Sequence, residues 1–305
     1  MTQIGFVGLG IMGRPMAGHL LAAGHQLFLH DKLPPLPEEL LAGGAVACDS
    51  AREAAEQAEV VILMVPDTPD VEAALFDVDG VAAGLGPGKL VIDMSSISPT
   101  ATARFAERVN ALDCLYLDAP VSGGSVGAET AKLTIMVGGP EEAFERARPL
   151  FELMGKTVTL IGSRNGDGQV CKAANQIIVG VTVQAVAEAL VLAAKAGADP
   201  ARVREALLGG AAASAILEMH GRRMLERDFE PGFRAELQHK DLNVVLSAAR
   251  DLGVMLPLAA TAESLYNAAT AKGLAKRDHS AVVQILEDLA ACRVAGGDDA
   301  AAPGN

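Results

Sequence analysis

Ile4-Gly5-Phe6-Val7-Gly8-Leu9-Gly10-Ile11-Met12-Gly13 is the stretch that decides the fold. Ile4–Val7 is a short apolar run of strand character, and Met12–Ala23 reads as a helix. Between them stand Gly8, Gly10 and Gly13, a GxGxxG that follows a strand and opens a helix. Gly8 permits a tight turn, Gly10 lets the backbone approach a pyrophosphate, and Gly13 lets the helix pack close to the strand. Leu9, Ile11 and Met12 complete the loop. The helix N-terminus then offers unpaired N–H groups and a partial positive charge to phosphates. A dinucleotide is therefore expected here, NAD or NADP.

The next strand, Gln26–His30, ends at Asp31. An acid at that place can accept hydrogen bonds from the adenosine ribose hydroxyls, which favours NAD over NADP. Lys32 follows it and is able to meet a 2′-phosphate instead. Further strands are predicted at Val60–Val65, Leu90–Met94 and Cys114–Asp118, then at Lys132–Val137 and Thr157–Ile161. Helices fall between them at Ser50–Ala58, Thr68–Leu75, Pro99–Val109 and Glu141–Leu153. Continuous apolar strands alternating with helices imply a doubly wound α/β sheet of Rossmann type with parallel strands.

The pattern changes at Gly162-Ser163-Arg164-Asn165-Gly166-Asp167-Gly168, where glycine and polar residues cluster. Beyond it no strand is evident, so the second domain is expected to be all-α. Its first helix, from about Gln169 to Ala196, would run roughly 40 Å and join the two domains. Gly197 suits its C-cap and Pro200 the first turn of the next helix. The expected division is 1–162 for the dinucleotide domain, 163–294 for a helical substrate and oligomerisation domain, and 295–305 for a disordered tail. Ile177–Ala194 is apolar enough to mimic a membrane span, but Gln184 and Glu188 near its centre favour a buried helix and no membrane partner.

Composition narrows the function further. Of 305 residues, half are hydrophobic but only 3% aromatic, so the cores must be aliphatic. The net charge of −13 and the lack of a basic run argue against nucleic acid. That charge also means a polyanionic ligand must be held by local positive groups. The four cysteines are scattered without a CxxC pair, as expected of reduced thiols in a cytoplasmic protein. No HxxxH occurs among the six histidines, so no metal site is expected. The N-terminus lacks the features of a signal peptide.

Ligands in open α/β sheets sit outside the carboxyl ends of the strands. Three such ends are suggestive: Val65-Pro66-Asp67, Asp93-Met94-Ser95-Ser96, and Asp118-Ala119-Pro120-Val121-Ser122-Gly123-Gly124. Val65 and Pro66 offer backbone to border a cofactor, and Ser96 a hydroxyl beside the nicotinamide. Ser122 with the N–H groups of Gly123 and Gly124 makes a neutral cradle for a carboxylate. In the long helix, Lys172, Asn175 and Gln176 are spaced to share one face. A partly buried lysine there can donate a proton to a carbonyl oxygen. Lys240, in Lys240-Asp241, is a further candidate for the same site.

Four segments, in order, carry a resemblance to a known family: GFVGLGIMGRPM, DAPVSGG, GDGQVCKAANQ and HKDL. Together they resemble the β-hydroxyacid dehydrogenases over nearly the whole chain, Ile4 to about Arg293. The resemblance implies that Lys172 is the catalytic lysine and Asn175 its partner. It further implies that Ser122, Gly123 and Gly124 bind substrate, and that Ser96 and Lys240 border nicotinamide and substrate. Within the family, LGGAAASAILEMHG, EPGFRAELQHKDL and the pair Asn175-Gln176 are similar to the members that reduce 2-hydroxy-3-oxopropionate to glycerate. The expected substrate is thus a small 2-hydroxy aldehyde acid. Members acting on 3-hydroxyisobutyrate, glyoxylate or succinic semialdehyde remain alternatives, as does a nucleotide-binding scaffold without turnover. An Ala- and Leu-rich helical domain is expected to bury surface in a homodimer or homotetramer.

Overall fold

A computed structural model describes residues 1–295; most of the tail expected at 295–305 therefore lies outside the described residues. The chain divides into two compact units, Met1–Ala173 and the part from Ala174 onward. In the first, nine strands form one sheet: β1 Gln3–Val7, β2 Gln26–His30, β3 Val46–Ala47, β4 Val60–Leu63, β5 Leu90–Asp93, β6 Leu115–Asp118, β7 Val121–Ser122, β8 Leu133–Gly138 and β9 Gly155–Gly162. Their order is β3-β2-β1-β4-β5-β6-β8-β7, with β9 paired to β8. The order reverses beside β1, where β2 lies on one side and β4 on the other. The loops that leave β1 and β4 therefore diverge at a switch point, the usual place for a ligand crevice.

Register places the suggestive segments at one end of the sheet. Val7 pairs with His30 and with Leu63, Leu63 with Asp93, and Asp93 with Asp118. Gly8, Asp31, Met64, Met94 and Ala119 each follow one of these residues, so all five leave the sheet at the same edge. Side chains alternate between the faces, as a period of two requires. Phe6, Leu27, Ile62, Ile92, Leu117 and Ile135 bury on one face. Val7, Val61, Leu63, Val91 and Tyr116 bury on the other, against Val71, Leu75 and Phe105 from helices. Burial on both faces explains the unbroken apolar strands.

β1, β2, β4, β5 and β6 are parallel, as strand–helix alternation implied, and the mixed character of the sheet enters only with the later strands. β8 runs antiparallel to β6 and β7. A parallel return needs a crossover of a dozen or more residues, usually carrying a helix long enough to span the sheet. Between β6 and β8 there is only β7 and the short helix Gly124–Glu129, so the chain comes back in the opposite direction. β3, β7 and that helix are too brief to announce themselves in hydrophobic pattern.

The long helix spans Asp167–Lys195, and its first turns belong to the first unit. It is long and apolar enough to cross a membrane. Val183, Ala187 and Leu190 are fully buried on it, in a core shared with Leu242, Tyr266 and Val282 of the helical unit. Gly197 follows at φ +80°, and Asp199 caps Pro200–Leu208 through the N–H of Ala201. Ala215–Glu226, Ala235–Leu252, Pro257–Ala271 and Val283–Ala290 are the further helices of this unit.

Candidate active site

The protein itself requires glycine at two of the loop's three positions, Gly8 and Gly13. Gly8 sits at φ +95°, and a Cβ there would overlap the Met64 carbonyl and stand 2.8 Å from Val65 Cγ1. Gly13 opens the helix Gly13–Ala22, where a Cβ would collide with the Gly8 carbonyl oxygen and approach Phe6 Cε1 to 3.1 Å. Gly10 is exposed, and a Cβ there would meet nothing within 4 Å. No protein atom requires glycine at that position, and the open space above it suits a pyrophosphate brought against the backbone. The residues present thus fit the dinucleotide that the motif implies. Between the glycines, Leu9 is buried, Met12 half-buried and Ile11 exposed.

Asp31 faces this loop. One carboxylate oxygen accepts from the Leu9 N–H at 2.5 Å, and the other from the Leu33 N–H at 2.8 Å. It therefore ties the glycine loop to the turn after β2, and each oxygen retains a lone pair for a further donor. Lys32 beside it is exposed.

At the end of β4, the Val65 N–H donates to Ser95 Oγ at 3.0 Å, and Pro66 is exposed. Ser95 is buried, its own N–H on Asp93 Oδ1 at 3.0 Å, so it spaces two strand ends while Ser96 beside it stays half-exposed. Gln169 binds the same loop to the long helix: its Nε2 donates to the Ser95 carbonyl at 2.8 Å and its Oε1 accepts from the Ile97 N–H at 3.1 Å. Sequence reading gave neither Ser95 nor Gln169 a role of its own. The GDGQ segment drew notice through its glycines, but nothing local tells that its glutamine reaches back to a strand end.

Asp118, at the end of β6, is completely buried. Its oxygens accept from the Gly166 N–H at 2.7 Å and the Gln169 N–H at 2.9 Å. These N–H groups lie at the start of the long helix, where no intrahelical acceptor exists. Burial pushes this carboxyl up to about 7, opposed by the two backbone bonds and reinforced by the charge of Asp93. Asp118 thereby fixes the turn that carries Lys172.

Lys172 is buried, and its Nζ donates to the Val121 carbonyl at 2.8 Å. The adjoining Ser122-Gly123-Gly124 loop is held open by backbone that favours glycine, with φ +130° at Gly123 and +61° at Gly124. Ser122, half-buried, lies in β7, and Gly124 begins the short helix after it. The fold thus brings together the lysine and the SGG loop, which lie far apart in sequence.

The helical unit holds a second group of polar side chains. Asn175 Nδ2 donates to Gln176 Oε1 at 2.7 Å, and Gln176 Nε2 donates to Asp241 Oδ2 at 2.5 Å. Lys240 pairs with the other Asp241 oxygen at 2.9 Å. Asp241 accepts only, so it orients the Gln176 amide, and Gln176 in turn orients Asn175.

One cluster was not anticipated. His220, Asp278 and His279 are buried with possible ligand atoms within 4.8 Å of one another. Asp278 is already engaged, by Arg223 Nη1 at 3.2 Å, by the N–H groups of Gly232 and Phe233, and by Ser280. The two imidazoles meet Nε2 to Nε2 at 3.1 Å. A cationic guanidinium on the carboxylate opposes a divalent ion there.

Comparison with known proteins agrees with this architecture. Residues 3–162 match the NAD-binding domain of 6-phosphogluconate dehydrogenase, and residues 166–286 match the NAD-binding region of NADP-dependent 3-hydroxyisobutyrate dehydrogenase. The chain is 54% identical to 2-hydroxy-3-oxopropionate reductase of Escherichia coli strain K12, covering 94% of this chain and 98% of that one. It is 38% identical to 3-hydroxyisobutyrate dehydrogenase of Pseudomonas aeruginosa, covering 88% and 92%. Among solved structures, 3-hydroxyisobutyrate dehydrogenase of Mycobacterium tuberculosis with L-serine superposes with a TM-score of 0.85 at 36% identity, covering 94% of this chain and 99% of the other. With both halves matched and the glycine loop intact, the chain belongs to the β-hydroxyacid dehydrogenase family, oxidoreductases that act on CH–OH groups with a nicotinamide cofactor.

Proposed function

We propose that this protein reduces 2-hydroxy-3-oxopropionate to glycerate with NADH, Lys172 serving as general acid. The observation that carries the reading is the buried Lys172 with Nζ on the Val121 carbonyl, one residue before the Ser122-Gly123-Gly124 loop. A proton donor beside a cradle of hydroxyl and backbone N–H groups suits a short aldehyde acid. Ser122 with the N–H groups of Gly123 and Gly124 holds the carboxylate. Lys172 gives its proton to the aldehyde oxygen as that oxygen becomes an alkoxide. Asn175, one helical turn further on, steadies the same oxygen. Val65, Pro66, Ser96 and Lys240 border the nicotinamide, while Gly8, Leu9, Gly10, Ile11, Met12, Gly13 and Asp31 hold the remainder of the dinucleotide. When bound, the nicotinamide supplies the hydride; the protein orients and polarises.

The identity with the E. coli reductase, over nearly all of both chains, supports this substrate. A second reading, turnover of 3-hydroxyisobutyrate, draws on the likeness to the P. aeruginosa and M. tuberculosis enzymes. A site that hydrogen-bonds the 2-hydroxyl discriminates strongly against analogues that lack it. The kcat/KM for 2-hydroxy-3-oxopropionate is therefore expected to exceed those for methylmalonate semialdehyde and succinic semialdehyde by at least about tenfold. Steady-state rates with the three aldehydes and glyoxylate at matched NADH decide it; a better rate with either semialdehyde removes the substrate assignment and leaves the family.

We also assign the protein to the cytoplasm, on the reduced thiols, and to a homodimer or homotetramer. Ile178, Leu192, Leu258 and Leu289 are exposed apolar side chains of the helical unit, which a second copy would cover. Light scattering on the eluted protein tests the subunit count.

A further inference from the structure

Beside Asp31, the turn after β2 borders a cavity of about 410 Å³. Leu9, Arg14, Asp31, Leu33, Glu38 and Glu39 are among its lining residues. Arg14 is in the first turn of the helix Gly13–Ala22, and Glu39 in the first turn of the helix Glu38–Ala42. Arg14 Nε and Glu39 Oε1, both lining the cavity, form an ion pair. Among the described lining residues Arg14 is the one base, against Asp31, Glu38 and Glu39. Lys32, the cation that sequence reading set against Asp31, does not line the cavity.

Since Asp31 touches the glycine loop, the cavity lies where the adenosine ribose of a bound dinucleotide belongs. The ribose differs between the two cofactors only at its 2′ position, a hydroxyl in one and a phosphate monoester in the other. We propose that Glu39 is a cofactor-selecting residue: by pairing with Arg14 it neutralises the cation that a 2′-phosphate would need, and it leaves an acidic wall that accepts a 2′-hydroxyl. Arginine is suited to grip a phosphate with two parallel N–H bonds, and a carboxylate on its Nε competes for that role. A hydrogen bond to its own backbone and the Arg14 partnership hold the Glu39 carboxyl below its ordinary range. Both side chains are more than half exposed, so the pair adds little to folding and its removal leaves the unit intact.

The inference rests on the dinucleotide reading of the glycine loop, and binding rather than turnover tests it. Dissociation constants of NADH and NADPH are measured from nicotinamide fluorescence for the natural protein, Glu39→Gln, Arg14→Gln and the double variant. The natural protein is expected to bind NADH more tightly. Glu39→Gln should tighten NADPH by about five- to tenfold and alter NADH by less than about twofold, roughly the effect of unmasking one cation. In the double variant that gain should vanish, and Glu39→Lys should favour NADPH further. Equal shifts for both cofactors, no shift, or a gain that survives loss of Arg14 would overturn the assignment. Failure of the natural protein to bind either cofactor would instead overturn the dinucleotide reading itself, and this inference with it.

Discussion

Substituting Gly10 and Gly13 separately by alanine divides the two duties of the glycine loop. The structure treats the pair oppositely. At Gly10 the added methyl meets no protein atom within 4 Å, whereas at Gly13 it strikes the Gly8 carbonyl oxygen and Phe6. Gly10 lies outside the positive-φ region, so alanine adopts its backbone without strain. Restricting the unfolded chain then stabilises the protein by about 0.4–1 kcal/mol. That corresponds to a rise in Tm of roughly 1–4 °C. Gly13→Ala instead forces the helix away from β1, and overpacking of this kind costs about 1–3 kcal/mol or more. Binding should follow another order. The methyl at position 10 occupies the space a pyrophosphate must enter, and a loss of about 100-fold in NADH affinity is expected, near 2.7 kcal/mol. Melting followed by far-UV circular dichroism without cofactor, and NADH titration by nicotinamide fluorescence, read the two effects independently; the protein has no tryptophan to interfere. If Gly10→Ala bound NADH within about threefold of the natural protein, the pyrophosphate would not lie against this loop. If Gly10→Ala melted lower than Gly13→Ala, the steric account would be wrong.

The other expectations concern individual side chains. Lys172→Ala should lower kcat by about 10²–10⁴ while NADH still binds, and near-normal turnover would remove Lys172 from the chemistry. Asp31→Ala releases the N–H groups of Leu9 and Leu33 together with a ribose partner, so NADH affinity should fall by roughly tenfold and NADPH affinity by less; a natural protein preferring NADPH tenfold would refute the role. Asp118 has a folded pKa of about 7, raised from 3.8, so its contribution to stability is complete below 3.8 and is lost as pH rises through 7. Asp118→Asn should melt lower overall, for want of one acceptor, yet show a flatter dependence across that window. His279 is shifted the other way, down to about 3 by burial, its neighbour His220 and Arg223, against the pull of Asp278. Its contribution is complete above 6.5 and is lost as pH falls toward 3, and His279→Phe should flatten that acid limb in melts at graded pH.

What could be read from sequence divides by the distance over which the chemistry acts. The glycine loop was legible because its three glycines serve needs that repeat at fixed spacing: a tight turn, an open approach and a close helix. Strand and helix positions were legible for the same reason, since apolar period and cap residues are local; Ser50, Asp67, Ser98 and Ser214 each cap the helix they precede. Strand direction was not, because the pattern in Lys132–Val137 is the same whichever way the strand runs, and only the short return from β6 sets it. At the candidate site, Lys172 and the SGG loop could be named singly, but their meeting spans 51 residues. Ser96 drew notice from a turn in which Ser95 makes the structural bonds, and Gln169 joins Ile97 across 72 residues. The residues to which sequence reading gave no individual role are thus buried polar groups that bind distant backbone: Ser95, Asp118 and Gln169. Each satisfies an N–H or carbonyl that would otherwise be buried unpaired at a strand end or helix start, at a cost of about 1–3 kcal/mol. In a chain whose cores are aliphatic and tolerant of repacking, such directional bonds specify one arrangement of loops, and here Asp118 and Gln169 fix the start of the helix that carries Lys172.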